Sequence, residues 1–292
     1  MKHRLHSGGR VYRRPDDLGQ ALELLSTHRP AVLAGGTDFY PARVGRPEPS
    51  AVLDLSRVAG LRGISTSAGG WRIGALTTWT DVLRAPLPPL FAALQQAAAE
   101  VGGPQVQNRG TLGGNLCNAS PAADGVPALL ALGATIEIAS RRGGRTLALD
   151  DFVLGPRRTA LAADELLVAI RVPAHGPAAR SRFLKLGHRR YLVISIAMVA
   201  AVVDVDAQDR AVSVALAVGS CSAVARRLPA LEDRLLGLPR AALGGRAAAL
   251  LREDAAALLA PLSPIDDVRG SGRYRLDAVA TLLPRALEDL AA

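Results

Sequence analysis

The stretch that most restricts how this chain can fold is residues 109–124, RGTLGGNLCNASPAAD. Gly113 and Gly114 stand side by side among Thr111, Asn115, Asn118 and Ser120, so the backbone can approach a ligand closely while short polar side chains supply hydrogen bonds. Phosphate or sugar groups are held in that way, although the same composition also describes an ordinary surface turn. A second segment of similar build, LAGGTD at residues 33–38, follows a short apolar run. Two such loops in one chain point to one extended ligand.

Neither loop is a nucleotide-hydrolysing P-loop, because no Gly-Lys-Ser/Thr follows, and neither has the GxGxxG spacing of a Rossmann fingerprint. Only Lys2 and Lys185 of the 35 Lys and Arg residues are lysine. Phosphates at residues 33–38 therefore call for backbone N–H groups, a nest, or a nearby arginine. That suits a bound cofactor better than a hydrolysed nucleotide. The chain has two cysteines, Cys117 and Cys221, without CxxC spacing, and both are expected to pack as small reduced side chains. An iron–sulfur cluster takes about four thiolates, so this chain cannot hold one alone.

At 292 residues the chain is expected to form two or three compact units. Asp16 or Asp17 can cap a helix carrying Leu18, Ala21, Leu22 and Leu25, followed by a short strand at 31–34 and the first glycine turn. Strands are expected at 51–55 and 71–76, a short helix from Thr77 or Thr78, and a long helix over 88–101. The second glycine loop precedes a helical run at 126–132, where Asp124 is placed either to cap the helix or to bind a ligand hydroxyl. Strands follow at 134–139, 145–149 and 166–172. The Ala/Gly/Pro-rich piece 173–179 reads as a linker, beyond which strands at 183–186, 193–205 and 212–218 and helices at 228–236, 240–259 and 276–290 make a small α+β unit.

The formal net charge of +9 invites a nucleic-acid partner, but the arginines are scattered and aromatic residues are 3% of the chain, leaving few platforms for bases. No nucleic acid is expected; an acidic ligand or partner surface accounts for the charge equally well. The five histidines, with His3 and His6 near the N-terminus, form no metal-binding spacing. The N-terminal residues lack the apolar core of a signal peptide and no apolar run is long enough to span a membrane, so a cytoplasmic protein is expected.

The two loops in their order, LAGGTDFYPAR and then NRGTLGGNLCNASPAADGVPALLALGA, resemble the FAD-binding medium subunit of the molybdenum hydroxylases, the family of xanthine dehydrogenase and aerobic carbon monoxide dehydrogenase. The blocks FVLGPRRTALAADELLVAIRVP, RFLKLGHRR and SPIDDVRGSGRYRLDAVATLLPRAL agree, so the resemblance spans nearly the whole chain. It implies an α+β architecture: a two-part FAD-binding domain of the PCMH type, similar to vanillyl-alcohol-oxidase-like flavoproteins, over 1–176, with parts at about 1–56 and 57–176. A C-terminal α+β domain, 177–292, would carry a three-stranded sheet and helices.

The resemblance also implies which residues hold FAD. They are Leu33, Ala34, Gly35, Gly36, Thr37, Asp38 and Phe39 on one loop, with Thr111, Gly113, Gly114, Asn115, Cys117, Ser120 and Asp124 on and after the other. Leu167 is implied near the flavin ring and Lys185 at the polar edge of the isoalloxazine, where a cation favours the reduced anionic flavin. The chain departs from the family pattern at Val193, where an acidic residue is frequent, and at Pro156, where an aromatic is frequent. Tyr191 could cover the flavin face or be a packed strand residue.

The function implied is a FAD-binding electron-transfer subunit. A molybdopterin-binding large subunit and a [2Fe-2S] small subunit are the implied partners, in a heteromeric complex of the dimer-of-trimers kind. A stand-alone flavin-dependent oxidase or reductase is the alternative.

Overall fold

The computed structural model describes residues 11–67 and 69–291; Lys2, His3 and His6 lie outside them. The first unit comprises β1 (Val11–Arg13), α1 (Leu18–His28), β2 (Ala31–Leu33) and β3 (Ala51–Asp54), with the strands parallel in the order β1-β3-β2. Asp17 starts α1 by accepting a hydrogen bond from the Gln20 backbone N–H at 2.8 Å, and Arg29 ends it in the left-handed region at φ 44°. The face carrying Ala21, Leu22 and Leu25 is buried, as its helical spacing requires.

The second unit runs through β4 (Ile64–Ser67), β5 (Gly70–Gly74), α2 (Trp79–Arg84), α3 (Ala92–Glu100), α4 (Pro104–Gln107), α5 (Leu112–Asn118) and α6 (Gly125–Ala131). It continues with β6 (Thr135–Ser140), β7 (Gly143–Ala148), α7 (Leu149–Phe152), β8 (Val153–Gly155), β9 (Arg158–Thr159) and β10 (Leu166–Pro173). Five of the strands form an antiparallel sheet in the order β4-β5-β10-β6-β7. Thr78 caps α2 through a reciprocal pair of bonds with Asp81. The single helix expected over 88–101 is a 3-10 turn at Pro89–Phe91 followed by α3.

The third unit holds β11 (Arg180–Leu186), β12 (Ala197–Val205), β13 (Ala211–Gly219), β14 (Arg226–Arg227), α8 (Pro229–Asp233), α9 (Leu243–Leu258) and α10 (Gly272–Ala291). Its sheet has the three long antiparallel strands expected, extended by the two-residue β14. Two arginines give no apolar alternation to read. They are held there because Arg227 grips Glu232 at 2.7 Å with two nitrogens, while the Glu232 carboxylate also accepts the Leu216 N–H at 2.7 Å.

The strand expected over 193–205 begins only at Ala197. The preceding residues, 187–195, form a loop closed by the Ile196 N–H donating to Leu186 O at 2.8 Å, with Leu192 in the left-handed region at φ 53°. Tyr191, Leu192 and Ile194 are exposed on it, so Tyr191 is not a packed strand residue.

The apolar run AMVAAVV of β12 is continuous because both sheet faces are covered. Met198, Ala200 and Val202 join the core of the second unit with Leu94, Ala97 and Leu129, whereas Ala197, Val199, Ala201 and Val203 pack with Leu250, Val279, Leu283 and Leu287 of α9 and α10. The stretch at 173–179 therefore separates two lengths of chain that share one core. A third cluster joins Ala21, Leu25 and Leu53 of the first unit to Leu76, Leu166 and Val168 of the second.

Met198→Ala removes a fully buried side chain from the shared core and is expected to cost about 2–5 kcal/mol. Urea unfolding followed by tryptophan fluorescence and circular dichroism checks this. The two signals should move together, and separate transitions for the two lengths of chain would contradict a shared core.

Candidate functional site

A cleft of about 460 Å³ opens between the first and second units. One wall is the segment following β2, residues 34–43; the other is formed by Thr111 and α5, with Trp79, Val101, Val106 and Leu167 beside it. The walls meet backbone to backbone. A Cβ on Gly35 would lie 2.0 Å from Arg109 O and 3.1 Å from Gly110 Cα, so only glycine allows this approach.

The two loops contribute different chemistry. In the second, the N–H of Leu112 donates to Thr77 O and that of Gly113 to Ala75 O, both at 2.9 Å, while Trp79 N–H returns to Gly110 O at 3.2 Å. The Gly114 N–H is taken by Thr111 Oγ1 at 3.0 Å, the cap of α5, and the Asn115 N–H by Thr111 O at 2.9 Å. This loop is thus fastened to residues 75–79 and offers side chains rather than N–H groups. The Thr111 hydroxyl keeps its proton free to donate, and Asn115 brings an amide whose Oδ1 is buried without a protein partner.

In the first loop the N–H groups of Gly35, Gly36, Thr37, Asp38 and Phe39 have no acceptor among the described residues; the turn is held instead by Tyr40 N–H to Gly36 O at 3.3 Å and Ala42 N–H to Asp38 O at 3.0 Å. Consecutive free N–H groups on a concave surface form a nest for an anion.

Ala34, Gly35, Gly36, Thr37, Asp38, Phe39, Thr111, Gly113, Gly114, Asn115, Cys117 and Leu167 all line the cleft. Leu33 lies buried beneath it, and Ser120 bonds the Ala122 N–H at 3.3 Å outside it. Cys117 does not pack as a core side chain: it is exposed toward the cleft. Cys221 is buried as expected. Arg43, Trp79, Arg157, Leu161 and Glu165 also line the cleft. None of these carries a specific sequence signal, beyond the general need for an arginine near the first glycine turn, which Arg43 meets.

Asp124 and Lys185 meet outside the cleft. Lys185 Nζ donates to Asp124 Oδ2 at 2.8 Å and lies 3.4 Å from Glu100 O, and Ser195 Oγ donates to Asp124 Oδ1 at 2.6 Å. Asp124 occupies the capping position of α6, but its side chain makes no capping bond, because Lys185 and Ser195 take both oxygens. The helix-cap reading is therefore replaced by a buried ion pair, with side chains 10% and 5% exposed. Burial pushes the Asp124 carboxyl above its usual range, aided by nearby Glu100 and opposed by Lys185 and Ser195.

Residues 5–175 match the FAD binding domain in molybdopterin dehydrogenase, and residues 182–290 match the CO dehydrogenase flavoprotein C-terminal domain. The chain belongs to this FAD-binding family. It is 33% identical over 286 residues to the nicotine 6-hydroxylase medium subunit of Paenarthrobacter nicotinovorans, covering 96% of this chain and 97% of that one. It is 30% identical to the carbon monoxide dehydrogenase medium chain of Hydrogenophaga pseudoflava, with 94% and 95% covered. Quinoline 2-oxidoreductase from Pseudomonas putida 86 superposes with a TM-score of 0.84 at 29% identity over 97% of this chain and 96% of that one. A Cu,Mo-CO dehydrogenase superposes at 0.83 with 26% identity, over 98% and 99% of the two chains. The cofactor of this oxidoreductase subunit is FAD, and the nest and the free Thr111 hydroxyl proton fit a dinucleotide with a diphosphate and hydroxyl groups. No helix among the described residues is long and apolar enough to cross a membrane.

Lys185→Met strands the buried Asp124 carboxylate and is expected to cost about 3–5 kcal/mol at neutral pH. Because burial raises the Asp124 carboxyl, and the loss of Lys185 raises it further, the cost shrinks as pH falls and Asp124 takes a proton. Thermal denaturation as a function of pH tests this. The double variant Lys185→Met/Asp124→Asn should recover most of the stability at neutral pH.

Proposed function

We propose that this chain is the electron-transfer subunit of a molybdenum-containing hydroxylase or dehydrogenase complex in the cytoplasm. A molybdopterin-binding large subunit oxidises the substrate with water, a small subunit passes electrons through its [2Fe-2S] clusters to this chain, and an external acceptor receives them. The domains are 1–176 for FAD and 177–292 for the C-terminal α+β part. The nest at 35–39, facing the cleft beside the Gly35–Arg109 contact, is the observation that carries the reading.

In this reading the nest holds the diphosphate, Thr111 donates to a phosphate or ribityl oxygen, and Asn115 lines the cleft beside them. Phe39, Trp79 and Leu167 exclude water from the cofactor. Bound FAD supplies the exchange between one-electron clusters and a one- or two-electron acceptor. Lys185 and Asp124 sit behind the site as a fixed charge pair, and through Ser195 they hold the root of the exposed 187–195 loop. With only Cys117 and Cys221, the chain depends on a partner for its clusters.

Co-purification from the native host, with flavin, molybdenum and iron assayed in each subunit, tests the assignment. FAD should travel with this chain and the metals with its partners. A purified single chain that oxidises an organic substrate unaided would establish the stand-alone oxidase instead.

Gly35→Ala places a methyl group against Arg109 O and is expected to weaken FAD binding by about 1–3 kcal/mol. The flavin-to-protein ratio and a fluorescence titration of the stripped protein measure this, and unchanged retention would remove the loop contact from the site.

A further inference from the structure

Two arginine side chains line the cleft, Arg43 and Arg157. Arg157 is committed: its Nη1 donates to Asn118 Oδ1, and its backbone, in the left-handed region at φ 59°, is tied by its N–H to Ala119 O at 3.0 Å. Arg43 is differently placed. Its guanidinium carbon lies 3.7 Å from the centre of the Phe39 ring, and Nη1 donates to Phe39 O at 2.7 Å. Among the described residues it has no carboxylate partner, so the remaining N–H groups of its planar fork are uncommitted.

The local chain builds this posture. Ala42 N–H donates to Asp38 O at 3.0 Å, Arg43 N–H to Tyr40 O at 3.0 Å, and Pro41 opens a 3-10 turn over Pro41–Arg43. That winding brings Arg43 back over Phe39, the last residue of the nest. The ring fixes the plane of the guanidinium without consuming its edges. The carboxylates in the cleft do not neutralise it. Glu165 is gripped by Arg145 at 2.8 and 2.7 Å, and Asp38 is exposed and adds a negative charge that an incoming anion must overcome.

We propose that Arg43 is the side-chain clamp for the diphosphate of the bound dinucleotide, its guanidinium pre-positioned on Phe39 to add a cation to the backbone nest. Resting on the assignment of FAD to this cleft, this makes Arg43 the residue that favours ligands carrying a diphosphate over flavins that lack one. A planar fork matches two phosphate oxygens, and a cation offsets Asp38 where the nest supplies only dipoles.

The full chain, stripped of flavin, is titrated calorimetrically with FAD, ADP and riboflavin. Arg43→Gln is expected to weaken FAD and ADP by about 10- to 100-fold, to leave riboflavin unchanged, and to flatten the salt dependence of ADP binding. Arg43→Lys, which keeps the charge but loses the fork, should fall between. On the unaltered protein, phenylglyoxal should modify Arg43 in the free chain, with FAD or ADP protecting it and riboflavin not. This last measurement decides the matter even if a variant misfolds.

Equal affinities of the unaltered chain and Arg43→Gln for ADP, an equal loss for riboflavin, or modification of Arg43 undiminished by FAD would each overturn the clamp while leaving FAD in the cleft. A stripped chain that binds neither FAD nor ADP would instead overturn the cleft assignment, and the clamp with it.

Discussion

The contact of Gly35 with the backbone of Arg109 and Gly110 is the constraint from which the rest of the site follows. Two loops separated by more than seventy residues can enclose one ligand only if their main chains touch, and at 2.0 Å from Arg109 O there is no room for a side chain. The contact needs both loops to be held from behind. The first is held by the parallel β2–β3 pairing, where Leu55 N–H reaches Leu33 O at 2.9 Å. The second is zipped to residues 75–79, its first N–H groups spent on that attachment. The price of this rigidity is that the second loop has few backbone donors left, whereas the N–H groups of the first have no acceptor among the described residues.

Behind the cleft, a chain of buried polar contacts links the second and third units. Asp124 at the start of α6, Lys185 near the end of β11 and Ser195 before β12 form one cluster. One residue further on, Ile196 O accepts from Arg275 of α10, which also donates to Ser220 O at 3.0 Å and to Asp267 at 2.7 Å. The loop at 187–195 is thus fastened at its root while exposing Tyr191, Leu192 and Ile194 at its surface. The Asp124–Lys185 pair stabilises less than its short distances suggest, because burial opposes the charge that the pairing favours.

Much of this architecture was legible in the sequence. Helical spacing marked α1, the Asp16-Asp17 and Thr77-Thr78 pairs marked helix starts that the structure resolves to Asp17 and Thr78, and apolar runs, alternating or continuous, marked most of the long strands. The reading faltered where tertiary contacts override local pattern. The apolar residues before Ala197 look like strand, yet a loop forms because Ser195 is drawn to Asp124. Arg226 and Arg227 look like surface and form a strand because Glu232 waits beside them. Asp124 has the residue type and position of a cap but is diverted by a lysine sixty-one residues away.

The sequence by itself determined that two glycine-rich loops exist, that they belong to an FAD-binding subunit, and which short polar residues accompany them. These properties depend on residue type and order, and order survives in one dimension. Only the tertiary structure decided how the work is divided between the loops, because that depends on which N–H groups are already spent. It also decided that Lys185 faces Asp124 and that Arg43 rests on Phe39 with no carboxylate partner among the described residues. Whether a charge is free or committed is a matter of what stands within a few ångströms of it, and that distance is set by the packing of units far apart in the chain.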